Sequence, residues 1–202
     1  MSAVPGPQLF ERVLGNDYAR LAEPVRRFHR LAGRHVLHGW VETGAPSTFP
    51  ARVLAWCLGT PRRATSGVLK FELDVRPDTE SWTRVFPAPA QTMRSRMTQD
   101  GGFIVEKLGA ATLWFALAED CGRLDMRLAR MRFAGLPCPG WLLPRVIATE
   151  SAASDASGAD DAGNLHFQIE AALPLAGVVA SYRGHLVIPS QATGKAIDGE
   201  AA

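Results

Sequence analysis

The sequence predicts an α+β domain, in which a strongly curved antiparallel β-sheet of about nine or ten strands carries N-terminal helices packed on or in it. Two observations lead to this prediction. Helical periodicity is confined to the region before residue 60, and strand-like runs joined by short turns fill the rest of the chain. Parallel pairing would need helix-sized crossovers between these runs. So many strands must close or curl strongly to cover their edges and inner face.

The helices are predicted from apolar residues at spacings of three and four. A short helix covers residues 7–14 and a second stretch covers residues 17–33, where Pro24 kinks or restarts the helix. A third short helix covers residues 50–58 and follows a capping residue at Ser47 or Thr48. The N-terminal helices should therefore turn one face towards the sheet.

The strands are predicted from alternation of apolar and polar residues, which is clearest in residues 69–75. Between Leu128 and Met131 the apolar phase shifts by one residue, which indicates a β-bulge in a long, bent strand. The predicted strands cover residues 36–41, 69–75, 80–86, 91–98, 103–108, 112–119, 122–134, 145–150, 165–173 and 177–188.

The 202 residues predict one domain, which covers residues 8–188. Residues 1–7 and 189–202 have almost no large apolar side chains and are expected to be disordered. Small and acidic residues dominate residues 151–164, for which we predict a mobile loop.

Charge and cysteine content exclude several classes of protein. A net charge of +2 offers no electrostatic basis for a nucleic-acid groove or for binding to an anionic membrane. No apolar run approaches the roughly 18 residues that span a bilayer. The three cysteines are odd in number and far apart, which argues against a disulfide framework and a zinc knuckle. We therefore expect a soluble, cytoplasmic protein.

The common catalytic signatures are absent from the sequence. It contains no dinucleotide-binding, phosphate-loop, nucleophile-elbow or zinc-protease motif. His29, His35 and His38 are close in sequence, but a helix and opposite faces of a strand would carry them, so they should not converge on a metal. No cofactor or metal is predicted, and a non-enzymatic role is favoured.

The most informative pattern is Trp82-x-Arg84-x-Phe86, because period-two geometry places the guanidinium on the same face as two aromatic rings. If that face looks inward, a buried cation needs a partner. The acidic residues in apolar strands that can reach it are Glu106 and Glu150.

Two interpretations of Arg84 follow. It forms a structural ion pair, or it recognises a carboxylate or phosphate on an otherwise apolar ligand, with Glu106, Glu150 or Tyr182 as polar neighbours in a cavity. Tyr182 lies on an apolar face of its strand, so its hydroxyl also needs a hydrogen-bond partner.

The segment 136–144 contains three prolines and cannot form a regular strand. We predict a rigid turn in which Trp141 and its neighbouring leucines plug one end of the sheet. The alternative is a lid or a patch that docks on a partner.

Short motifs are spread from Phe10 to Leu186: Phe10…Leu14-Gly15…Leu21…Val25…His29, Trp82-x-Arg84-x-Phe86 with Ser95, Glu106-x-x-Gly109, Leu136-Pro137…Leu143-Pro144…Glu150, and Phe167…Pro174-x-x-Gly177…Tyr182-Arg183-Gly184-x-Leu186. In order and spacing they resemble the bacterial family known as domain of unknown function 4166. The resemblance implies that relatives occur fused to saccharopine-dehydrogenase-like, nicotinamide-binding domains. Since this chain has no dinucleotide motif, it implies at most partnership with such an oxidoreductase.

Three functional hypotheses remain. The favoured one is a binding module for a small apolar or amphipathic acidic ligand, with Arg84 as polar anchor and Trp82, Phe86, Glu106, Glu150 and Tyr182 around it. The second is an accessory domain that docks on an oxidoreductase through the segment around Trp141. The third is an enzyme of unrecognised class that uses Arg84, Glu106, Glu150 and Tyr182.

Overall fold

The computed structural model describes residues 8–153 and 163–189. The helices are α1 (Leu9–Leu14), α2 (Glu23–His29) and α3 (Phe49–Leu58), with 3-10 helices over Gly15–Arg20 and Gly140–Leu142. The strands are β1 (Gly33–Gly44), β2 (Thr65–Arg76), β3 (Thr79–Phe86), β4 (Gln91–Asp100), β5 (Phe103–Leu108), β6 (Ala111–Asp120), β7 (Arg123–Phe133), β8 (Leu136–Pro137), β9 (Arg145–Ala152), β10 (Asn164–Leu173) and β11 (Gly177–Val187). None of the helices in these ranges is long and apolar enough to cross a membrane.

The strands form a closed antiparallel barrel. Sequential neighbours from β1 to β7 pair with one another, β7 pairs with β9, and β9, β10 and β11 lead back to β1. The two-residue strand β8 pairs with the end of β7 outside this ring, so the ring has ten strands. The predicted curved antiparallel sheet is therefore confirmed, and the sheet closes on itself through the short pairing of β7 with β9.

A β-bulge bends β7 where the sequence predicts one. Trp114 of β6 lies opposite Arg130, and the next residue, Phe115, lies opposite Leu128, so Ala129 is the extra residue. Bulges increase the local twist of a strand, which helps a sheet to curl into a barrel. The bulge therefore explains the shift of the apolar pattern between Leu128 and Met131.

The N-terminal helices fill one end of the barrel, which we call the α1–α2 end. Phe10, Val25 and Phe28 are buried in the main hydrophobic core. The second helical stretch predicted from Asp17 restarts at Pro24, which was one of the two predicted alternatives, but it ends at His29 and not at Gly33. The chain forms a 3-10 helix, continues in extended conformation and begins α2 at Glu23, because a proline fits the first turn of a helix better than its interior.

Helix α3 spans the opposite end of the barrel, which we call the α3 end. The Thr48 hydroxyl caps the helix by accepting a hydrogen bond from Ala51, and Gly59 ends it in the left-handed conformation. Ser47 donates its backbone N–H to Val178, just after the β10–β11 turn, at 3.0 Å, and Cys57 accepts a backbone hydrogen bond from Ala110 in the β5–β6 turn at 3.2 Å. These two turns belong to opposite sides of the ring, so α3 roofs the barrel.

The segment 136–144 does not plug the barrel, and this prediction is wrong. Trp141 is 72% exposed and Leu136 is equally open to solvent. Helix α3 already roofs this end, so Trp141 and Leu136 lie in solvent, and only Pro144 at the end of the segment is buried.

The predicted mobile loop at 151–164 is too long at both ends. Strand β9 includes residues 151 and 152, and β10 begins at Asn164. Residues 154–162 lie outside the described residues, as do residues 1–7 and 190–202, for which disorder was predicted.

Candidate functional site in the barrel interior

Strand β3 supplies the centre of the site, because every second residue points into the barrel. Glu80, Trp82, Arg84 and Phe86 are all buried, whereas the residues between them are half-buried. The predicted inward face of Trp82-x-Arg84-x-Phe86 is confirmed.

Arg84 is 6% exposed and is held by neutral groups. Its Nη1 donates a hydrogen bond to Ser95 Oγ on the adjacent strand β4 at 3.2 Å. Its guanidinium carbon lies 4.9 Å from the Trp82 ring centre and 5.4 Å from that of Phe71. Aromatic faces attract a cation, and the attraction is stronger away from water. They therefore offset part of the cost of burying Arg84.

The predicted ion pair between Arg84 and Glu106 or Glu150 does not form. Among the described residues, no carboxylate oxygen lies within 4.0 Å of the Arg84 side-chain nitrogens. Glu150 instead contacts His29 of α2, with 2.7 Å between Oε2 and Nε2. Glu106 makes no hydrogen bond or ion pair within the described ranges. Arg84 is thus a buried cation that forms no ion pair with any of the described residues.

A cavity of about 100 Å³ lies beside Arg84. Five of the six predicted site residues line it, namely Trp82, Arg84, Glu106, Glu150 and Tyr182. The rest of the wall is almost entirely apolar, and it includes Leu58 and Leu113 and a row of residues from β9 to β11. The sixth predicted residue, Phe86, does not line this cavity but packs edge-on against Tyr182 at 5.6 Å.

The Tyr182 hydroxyl is a hydrogen-bond donor that the described residues leave without a partner. Burial raises the pKa of Tyr182 above its ordinary value of 10, and the nearby Arg84 cation opposes this only in part. The phenol therefore stays protonated at neutral pH. It can donate a hydrogen bond to a group inside the cavity.

Two interior polar residues, Glu80 and His29, were not assigned to the site from the sequence. Glu80 accepts a hydrogen bond from the Trp82 indole at 3.2 Å, and burial raises the pKa of its carboxyl. Its position two residues before Trp82 would have placed it on the inward face. His29 carries no such signal, because it meets Glu150 across 121 residues of sequence.

The described residues offer no metal centre. They contain no group of three or more His, Cys, Asp or Glu side chains placed to hold a metal ion. Cys57, Cys121 and Cys138 are free thiols. The chemistry of the described interior is thus that of one arginine, one histidine, three carboxylates and a tyrosine around an apolar space.

The fold and the site define a class: a closed ten-stranded antiparallel barrel with an internal cavity that is apolar apart from a few charged side chains. The chain belongs to the family described as domain of unknown function (DUF4166), whose model matches residues 21–186. This confirms the resemblance seen in the motifs. Fusion to saccharopine-dehydrogenase-like domains stays a prediction.

One solved structure and the curated proteins complete the comparison. The chain is similar to the crystal structure of Rv2717c from M. tuberculosis, with 8% identity and a TM-score of 0.45. The alignment covers 84% of this chain and 99% of that one. No curated protein matches the chain.

Proposed function

We propose that the barrel binds a small acidic molecule with an apolar body, and that the acidic group lies against Arg84. One observation carries this proposal: a buried guanidinium that forms no ion pair within the described part of the chain lines a largely apolar cavity. Burying a charge is costly unless it is paired. A ligand carboxylate would supply the missing counter-ion through charge-assisted hydrogen bonds.

The lining also limits what the ligand is. Tyr182 would donate a second hydrogen bond to the acidic group, and Glu106 would accept one from a hydroxyl or amine elsewhere on the ligand. Pockets for drug-sized ligands occupy roughly 300–1,000 Å³, so a cavity of about 100 Å³ takes an acid of only a few carbon atoms without rearrangement. Short-chain carboxylates are therefore the first ligands to test.

The test is a calorimetric titration with butyrate, compared with the neutral butyramide and the cationic butylamine. We expect butyrate alone to bind. Arg84→Met should weaken binding about 10–100-fold, because a hydrogen bond to a charged group contributes about 1.5–3 kcal/mol. The matched control is Arg96→Met on the outer face of β4, which should leave binding unchanged.

Either of two results would contradict the proposal. One is that butyrate and the neutral amide bind equally well, and the other is that Arg84→Met and Arg96→Met behave alike. Preferential binding of butylamine would instead show that Glu106 or Glu150, and not Arg84, anchors ligands in the cavity.

A second candidate function is an accessory domain that docks on an oxidoreductase-type partner through the segment 136–144. The exposure of Trp141 and Leu136 favours it. Trp141→Ser should then abolish complex formation in co-purification from the native organism and leave butyrate binding intact.

A further inference from the structure

The outward face of α3 is apolar. Phe49, Val53 and Trp56 are exposed at spacings of four and three, which places them on one side of the helix. Phe49 is 74% exposed and Trp56 is 67% exposed. Beside the start of α3, Leu175 at the tip of the β10–β11 turn is 94% exposed. Exposed apolar clusters of this kind mark interaction sites. We call these four residues the α3 face.

Positive charge surrounds the α3 face. The α3 end is built from residues 44–65, 86–91, 107–112, 131–146 and 172–178, and none of these segments contains Asp or Glu. Their exposed cations, none of which forms an ion pair within the described part of the chain, are Arg52, Arg62, Arg63, Lys107, Arg132 and Arg145. The α1–α2 end differs because it carries both signs of charge, and Asp78, Glu119 and Asp120 in its turns pair with arginines. A net charge of only +2 for the whole chain therefore coexists with a local excess of cations at the α3 end.

Three of these cations line one surface cleft beside α3. The cleft has a volume of about 670 Å³ and is lined by Arg52, Arg62 and Arg63, with proline, alanine and other uncharged residues forming the rest. Guanidinium groups match the geometry of phosphate oxygens. The cleft can therefore accept phosphate groups next to an apolar surface.

We propose that the α3 end of the barrel docks on the surface of an anionic lipid bilayer. The four apolar side chains of the α3 face enter the headgroup region, and Arg52, Arg62 and Arg63 bind lipid phosphates. Helices with an aromatic and aliphatic face flanked by basic residues lie at such interfaces in this way.

A bilayer fits this surface better than an acidic protein does. The apolar side chains project from two separate elements, and Leu175 stands almost free of its neighbours. A protein partner would need a pocket shaped for each projection, whereas a fluid headgroup layer accepts them without shape complementarity. Tryptophan in particular favours the membrane–water interface, because its ring is apolar and its N–H is polar.

Docking would also place the roof of the interior cavity against the lipid. Leu58 at the end of α3 and Thr60 just after it line that cavity. An amphipathic acid dissolved in the bilayer would then meet the barrel at this end. The docking proposal itself does not depend on ligand binding, and its test is made without any ligand.

The test is co-sedimentation of the full chain with vesicles of phosphatidylcholine alone or mixed with phosphatidylglycerol. We expect binding to the mixed vesicles only, with a blue shift of tryptophan fluorescence that Trp56→Phe removes. Arg62→Gln with Arg63→Gln should weaken binding at least about tenfold, since each basic residue near an anionic surface contributes about fivefold. Phe49→Ser with Trp56→Ser should weaken it by a similar factor.

Matched controls come from the barrel wall, where side chains are equally exposed. Arg94→Gln with Arg96→Gln and Val36→Ser with Val68→Ser should bind vesicles like the wild type. All these positions are on the surface, so the variants should keep the wild-type circular dichroism and melting temperature.

Four outcomes would overturn the proposal. An equal loss of vesicle binding in the barrel-wall variants would show that binding does not depend on the α3 end. A wild-type dimer in sedimentation velocity that Trp56→Ser dissociates would assign the α3 face to a second copy of the chain. Binding of inorganic phosphate without vesicle binding would reduce the cleft to a phosphate site. Absence of binding to either vesicle would leave a protein partner as the occupant.

Discussion

The imidazole of His29 and the carboxylate of Glu150 meet inside the barrel, with 2.7 Å between Nε2 and Oε2. His29 ends helix α2, and Glu150 lies on strand β9. Both side chains are buried, and the Phe10 ring packs against the imidazole with 3.8 Å between ring centres and 30° between ring planes. This contact joins helix α2 to the barrel wall, and it occupies one of the two carboxylates that the sequence suggested for Arg84.

Removal of one partner of this pair should be strongly destabilising. His29→Ala leaves the buried Glu150 without its hydrogen bond, and we expect a loss of about 3–5 kcal/mol in the free energy of unfolding. Adding Glu150→Gln should recover part of that loss. Urea denaturation of the wild type, the two single variants and the double variant measures the coupling, which we expect at about 0.5–3 kcal/mol. Strictly additive effects would show that the contact is energetically irrelevant.

Glu80 should make the stability of the protein fall as pH rises. Burial raises the pKa of Glu80 above its ordinary value of 4.5, so the folded state holds this proton more tightly than the unfolded state. Its contribution is fully present below pH 4.5 and is lost as pH rises through the folded pKa. Glu80→Gln imitates the protonated acid and should gain stability relative to the wild type between acidic and neutral pH. Urea titrations at several pH values test this, and a constant difference across pH would contradict it.

Arg84→Met should change the free energy of unfolding by less than about 1.5 kcal/mol. The substitution removes one hydrogen bond to Ser95. It also removes the cost of burying an unpaired cation, because an apolar side chain of similar length takes its place. A structural ion pair would behave differently, because its loss would cost about 3–5 kcal/mol. Chemical denaturation distinguishes the two cases. A large loss that Glu106→Gln then restores would show that Arg84 pairs with that carboxylate after all.

Closure of the barrel depends on a close approach between β1 and β11. A Cβ atom at Gly39 would lie 1.9 Å from the carbonyl oxygen of His185. Gly39→Ala should therefore cost at least about 1–3 kcal/mol, as overpacking does elsewhere. Gly102→Ala is the control, since a Cβ there meets no atom within 4 Å. Equal melting temperatures of the two variants would show that this strand pair is looser than described.

Much of the fold follows from local pattern. Period-two alternation predicts most strands, and the phase shift after Leu128 predicts the bulge because each residue inserted into a strand exchanges its two faces. Closure is less predictable. It depends on pairing of β1 with β11, which are far apart in sequence, and on pairing of β7 with β9 past the intervening strand β8. The exposure of Trp141 was missed for a related reason, because only the assembled structure shows that α3 already roofs that end.

In the candidate site, too, the local pattern predicts some features, and others depend on contacts between distant segments. The inward direction of Arg84 follows from its phase with Trp82 and Phe86. The partners of Arg84 cannot be predicted in this way. They depend on which strands face one another across the barrel and on the N-terminal helices that lie between those strands. Sequence offers several carboxylates on apolar strands, and only the position of His29 shows why Glu150 is unavailable to Arg84.

The most direct measurement of the central claim is a crystal structure of the protein grown with butyrate. We predict that the butyrate carboxylate occupies the interior cavity, with an oxygen about 2.7–2.9 Å from an Arg84 guanidinium nitrogen. Its alkyl chain should lie along the apolar wall. A cavity without ligand at saturating butyrate, or a butyrate carboxylate placed away from Arg84, would contradict the assignment of Arg84 as the anchor of an acidic ligand.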